Sequence, residues 1–182
     1  MLEPRISAPP SYGLVAKGLH WLIVALLLVQ FALAWTMPGM RQADTSTLVN
    51  LHFSFGMLVL PVVLARLGWR LTHPVPLLND TMPAWQHRVA ESTHWLLYLL
   101  LFLSPILGWA AANARGFDVA LFGIAVPALL GKSSFAAQIM GTVHQWLSYG
   151  LLGTIGAHVT GALYHHFLLR DETLKRMLPH FG

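Results

Sequence analysis

Residues 138–170, QIMGTVHQWLSYGLLGTIGAHVTGALYHHFLLR, are apolar for longer than a soluble helix needs, yet they carry His144, His158, His165 and His166. An α-helix rises about 1.5 Å and turns about 100° per residue, so His144 and His158 lie about 21 Å apart along its axis. The interval is close to four whole turns, which leaves the two imidazoles only about 40° apart around that axis. They point the same way at two depths of one membrane-length helix, and His165, two turns on, continues the stripe. Imidazoles are costly inside a bilayer and by default mark functional positions there.

Composition fits that reading. Of 182 residues, 55% are hydrophobic and only 10% charged, which indicates one membrane domain, 1–182. Cysteine is absent, which excludes disulfides, iron–sulfur clusters and covalently attached c-type haem, but leaves ligation by histidine. The excess of Lys+Arg 11 over Asp+Glu 7 does not indicate nucleic acid, because the basic residues sit at the ends of apolar segments. The first apolar run is long and lacks a small-residue cleavage site, so no cleavable signal peptide is expected.

Four spans are expected, at about 15–37, 48–71, 88–112 and 135–169, each beyond the roughly 20 residues that cross a bilayer. Pro61 and Pro105 fall inside the second and third spans, where neighbouring helices accommodate them. The fold expected is an all-α four-helix transmembrane bundle. Arg5, Lys17, Arg66, Arg70, Arg88, Arg170, Lys175 and Arg176 fall on the side shared by both termini; Arg41, Arg115 and Lys132 fall on the other. By the positive-inside rule both termini are cytoplasmic. Topological bias explains Arg66 and Arg70 well enough. The alternative is that these two, one helical turn apart, pair with haem propionates.

With orientation set, the histidines sort by depth. His20 lies near the cytoplasmic end of span one and His52 near the outer end of span two. Span four descends from outside to inside, so His144 is outer and His158 inner. The matching pairs are His20 with His158 and His52 with His144, which makes two stacked bis-histidine sites suited to two b-type haems. Scattered interhelical hydrogen bonding is the plainer reading, but it does not produce pairwise matching in depth. Gly56 and Gly161 lie about one turn from His52 and His158, as a flat macrocycle requires, although glycine also serves ordinary helix packing. His94, on span three at inner depth, competes with His20 as inner ligand and ranks second because that span has no outer histidine. His73, His87 and His180 read as solvated residues.

The motifs KGLHW (17–21), LHFSFG (51–56), THWLLYLLLFLSPILGW (93–109), VHQWLSYG (143–150) and GAHVTGALYHHFLLRDETLKRMLP (156–179) resemble the bacterial cytochrome b561 family. The resemblance covers nearly the whole chain. It implies a multi-pass di-haem cytochrome of the bacterial inner membrane, ligated at His20, His52, His144 and His158. It also implies a superoxide:ubiquinone oxidoreductase, taking electrons from superoxide outside and passing them to ubiquinone. Related cytochrome b subunits instead anchor a dehydrogenase or hydrogenase, so a periplasmic electron donor or partner subunit is the alternative. A haem-free histidine-lined transporter is disfavoured by the lack of intramembrane carboxylates and inverted repeats. His165, near the inner surface, suits a quinone head group, to which it can donate a hydrogen bond and a proton; the alternative is a plain interfacial histidine. The apolar outer connection, 113–134, is expected to fold back over the outer site rather than extend into water. Arg115, followed by Lys132 and Arg41, is the expected positive mouth for a small anion, against the plainer reading of solvated loop charges.

Overall fold

The computed structural model describes residues 11–37, 47–73 and 83–178. Helix α1 is Leu14–Thr36, α2 Thr47–Thr72, α3 Ala84–Arg115 and α4 Ser134–Tyr164, and a π-helical turn, His165–Leu169, extends α4. Three of these, α1, α2 and α3, are long and apolar enough to cross a membrane. The fourth, α4, has 31 residues and no Asp, Glu, Lys or Arg, but its Gly, Ser, Thr, Gln and His content keeps it less apolar than the other three. The chain is a helical membrane protein. Arg5, Arg41, His180 and residues 74–82 of the connection between α2 and α3 lie outside the described residues.

Helix α3 packs along α4, α1 along α2, and α2 against α3. In lipid there is no hydrophobic drive between helices, so close packing of small residues does this work. The buried face of α3 is accordingly rich in alanine: Ala110, Ala111, Ala112 and Ala114. A Cβ on Gly108 would stand 3.0 Å from the His144 ring, a tight approach where α3 meets α4, and one on Gly141 would displace the end of the flexible Arg115 side chain. By contrast, no Cα of α4 comes within 8 Å of a Cα in α1 or α2. Mid-bundle, Ile23, Leu26, Val59, Val63, Tyr98, Leu101 and Leu151 form an apolar layer drawn from all four helices.

Between α3 and α4 the chain makes a small hairpin, β1 (Ala120–Leu121) antiparallel to β2 (Ile124–Ala125). Gly116, with φ 88°, ends α3 by donating its N–H to the Ala112 and Asn113 carbonyls, a left-handed helix stop. The Ser133 hydroxyl starts α4 by accepting from Ala136 N. Phe122 and Gly123, at φ 48° and 91°, form the two-residue turn whose twist matches a hairpin. Ser54 fixes the hairpin on α2, donating to the Ala120 carbonyl and accepting from Phe122 N, each at 3.0 Å. Phe122 also meets Phe55 edge to face. The connection folds back onto the helices, two residues from His52.

Candidate functional site

Histidines face each other across the space between α4 and the α1–α2 pair in two groups, one on each side of the mid-bundle apolar layer, named outer and inner after the orientation expected from the sequence. In the outer group the His52 and His144 ring centroids are 6.4 Å apart and nearly perpendicular, at 84°. In the inner group the His20 and His158 centroids are also 6.4 Å apart, at 67°. His94, on α3, stands closer to His158, at 5.2 Å. A metal bound by two opposed imidazoles, at about 2 Å from each nitrogen, separates ring centroids by about 6.3 Å. The His20–His158 and His52–His144 separations fit that spacing; the His94–His158 separation is about an ångström short of it.

The surroundings of each ring differ. His144 Nδ1 donates to the Ser104 carbonyl at 2.8 Å, which leaves Nε2 as its free acceptor. The Ser104 hydroxyl lies 3.3 Å from both His144 Nδ1 and the Ser148 hydroxyl, and Ser148 donates to the His144 carbonyl. His52 is buried, with Nδ1 lacking a hydrogen-bond partner among the described residues; Gln30 Nε2 lies 3.3 Å from its Nε2 and donates to its carbonyl. Gly56 makes room for that Gln30 amide, which a Cβ would meet at 2.9 Å. Gly161, near His158, has no neighbour within 4 Å of where a Cβ would sit.

Cations flank the inner group. Arg66 donates to the Ala16 carbonyl at 2.9 Å, and its guanidinium lies within electrostatic range of the Tyr98 hydroxyl. Its guanidinium is within electrostatic range of His20, His94 and His158. Arg70 lies over the rings of Trp95 and Tyr98, 5.6 and 5.8 Å from their centroids. Burial pushes the Tyr12 phenol up, against the pull of Arg70, Arg66 and Arg176.

His165 lies at the start of the π-helical turn, where Arg170, at φ 54°, reverses the chain. The reversal brings the Asp171 carboxylate to 2.6 Å from His165 Nδ1. Burial alone would push the Asp171 carboxyl up, but hydrogen bonds from Thr173 and His165 hold it below the ordinary carboxylate value. Beyond it, the segment to residue 178 folds back on the start of α1, with Trp21 Nε1 donating to the Met177 carbonyl at 2.9 Å. At the other end of the bundle the Arg115 guanidinium lies over Gly141, one turn before His144, and Lys132 lies over Gly116. Both cations are exposed. His73 stacks on Trp69, and His166 meets only Phe167 among the ring contacts.

The sequence profile of the family described as prokaryotic cytochrome b561 matches residues 11–180. The chain belongs to that family. It is 33% identical over 175 residues to Cytochrome b561 homolog 2 of Escherichia coli K12, spanning 94% of this chain and 93% of that protein. It is 29% identical to a Yersinia pestis protein named Probable superoxide oxidase CybB, over 93% of this chain and 96% of that one. It is likewise 29% identical to Cytochrome b562 of Cereibacter sphaeroides, over 93% of this chain and 96% of that one. Membership makes the chain a membrane electron-transfer protein and implies b-type haem.

The outer and inner residues fit such a group. Four imidazoles pair at the right spacing, one buried ring nitrogen lacks a partner, and α4 stands off from α1 and α2 where the pairs face each other. Gln30 contacts His52, Ser104 contacts His144 and Asp171 contacts His165, and none of the three was singled out from the sequence. The first two carry a usable signal, since each is a polar residue inside an apolar membrane-length helix.

Proposed function

We propose that the chain is a four-helix inner-membrane cytochrome with both termini cytoplasmic, carrying two b-type haems, one on His52 and His144 and one on His20 and His158. The observation that carries this reading is the pair of equal, 6.4 Å imidazole separations at two depths. Held by two imidazoles each, these groups would supply one-electron transfer rather than oxygen binding. The chain's own residues hold the rings in place, keep them dry and set the charge around them. Arg66 is placed to meet a propionate at the inner site, and Arg70, one turn on, lies on the same side of the bundle. His94 is assigned as a neighbour of the inner pair rather than a ligand.

The reaction we infer takes electrons from superoxide outside and delivers them to ubiquinone. Each superoxide ion gives up one electron and leaves as dioxygen; two electrons and two protons convert the quinone to quinol, so two superoxide ions are consumed per quinone. Arg115, over Gly141, and Lys132, over Gly116, supply the positive mouth that concentrates a small anion beside the outer pair. His165, oriented by Asp171, is the group proposed to hydrogen-bond the quinone and pass it a proton.

The test is stopped-flow reduction of the purified holoprotein by superoxide at increasing ionic strength. Steering by exposed cations is screened within about 10 Å at 0.1 M salt, so the native rate should fall as salt rises, and Arg115→Gln should be slower and less salt-dependent. A rate that is slow in both proteins, with no salt dependence, points instead to a partner protein as donor and to a membrane-anchor cytochrome.

A further inference from the structure

The two histidine pairs are alike in spacing and unlike in their surroundings. At the outer pair the His144 Nδ1–H is committed to the Ser104 carbonyl at 2.8 Å. Such a bond from the far ring nitrogen raises the basicity of the ligating one, and a more basic ligand favours the oxidised, more positive iron. Gly108 permits this bond, because a Cβ there would press on Cε1 and Nδ1 of the ring at 3.0 and 3.1 Å. The acceptor is a backbone oxygen of α3, the helix on which α4 packs, so it is fixed before any cofactor binds.

At the inner pair neither the His20 nor the His158 ring makes a hydrogen bond among the described residues. What lies beside them is a charge. Arg66 is half-buried and anchored on the Ala16 carbonyl, one turn before His20. A fixed cation favours the reduced, less positive state of a neighbouring redox group, and more strongly where water does not screen it. The outer end has its own cation in Arg115, but that side chain is exposed, where solvent and salt weaken its effect.

We propose that these surroundings order the two sites, with the His52–His144 site lower in reduction potential than the His20–His158 site, so that electrons run inward. This rests on the assignment of one haem to each pair. One electron leaves the outer site, which is oxidised, and enters the inner site, which is reduced; no bond forms or breaks. Ser104 and Gly108 position the outer ligand, and Arg66 sets the charge at the inner one. The direction of flow is thereby built into the protein, in addition to whatever the donor and acceptor impose.

Anaerobic redox titration of the purified holoprotein, followed by haem absorbance, tests this with no substrate present. Two one-electron steps are expected. Gly108→Ala, which moves the His144 ring off the Ser104 carbonyl, should raise the lower potential alone. Arg66→Gln should lower the upper potential alone, and Arg66→Lys should restore it. If Gly108→Ala sheds haem, the Arg66 variants decide the matter. An Arg66→Gln variant that shifts the lower potential, or neither, overturns the ordering. Fewer than two haems per chain, counted by pyridine haemochrome on the same sample, refutes the underlying assignment instead.

Discussion

Ser54 offers a sharp test of how the outer end is closed. Its hydroxyl donates to the Ala120 carbonyl and accepts from Phe122 N, both at 3.0 Å, and holds the hairpin against α2. Ser54→Ala removes both bonds and leaves two backbone groups to find other partners. Each such bond contributes about 1 kcal/mol net, and leaving the groups unpaired adds to the loss, so the docked hairpin should lose about 2–3 kcal/mol. That raises the population of the opened hairpin, and with it amide exchange, by about 30- to 150-fold. Hydrogen exchange read by mass spectrometry on a peptide covering residues 117–126, in lipid nanodiscs, measures this directly. A peptide from the middle of α1 serves as the internal control and should not change. If exchange in the hairpin is unaltered, Ser54 does not hold it, and the contacts of Phe122 with Phe55 and of Phe117 with Phe53 carry the docking alone.

Two other outcomes follow from the inner end. His165→Ala should slow ubiquinone reduction several-fold and leave the haem spectrum unchanged, as checked by absorbance and by quinol formation in the same preparation; normal quinone kinetics would remove His165 from the reaction. Asp171 has a depressed carboxyl, so its contribution is fully present above its ordinary value of 3.8 and is lost as pH falls below that through the folded-state value. Limited proteolysis of the segment after α4 should therefore be slow at pH 7 and faster below about pH 4, and Asp171→Asn should show the faster rate at both.

The sequence makes the helices legible, but for two different reasons. For α1, α2 and α3 the signal is apolar length. For α4 length alone is ambiguous, since glycine and polar residues dilute it, and what identifies it is the spacing of His144 and His158. That same spacing anticipates the two facing pairs, because helical periodicity and depth are both linear in residue number. Other features depend on where the chain bends. Asp171 meets His165 only because a π-helical turn and a left-handed Arg170 reverse the backbone. The hairpin at Ala120–Ala125 is too short to leave an alternating pattern, so the outer connection reads only as an apolar loop that folds back. At Gly56 the sequence shows a small residue one turn from His52, but not that the Gln30 amide, from another helix, lies against it. His94 could be placed at the inner depth, and ranked behind His20, from sequence; what the sequence could not give is their separations from His158, 5.2 Å for His94 and 6.4 Å for His20.

The central claim is that four histidines act as two pairs, and haem stoichiometry in single and double variants tests it most directly. Haem per polypeptide is counted by pyridine haemochrome in the native chain, in His52→Ala, in His144→Ala and in the two combined. The account predicts two haems in the native chain and one in each of the three variants, because both residues serve the same group. His20→Ala and His158→Ala should behave as a second such set. A double variant His52→Ala/His144→Ala that has lost both haems, or a His20→Ala variant that keeps two while His94→Ala keeps one, would contradict the pairing.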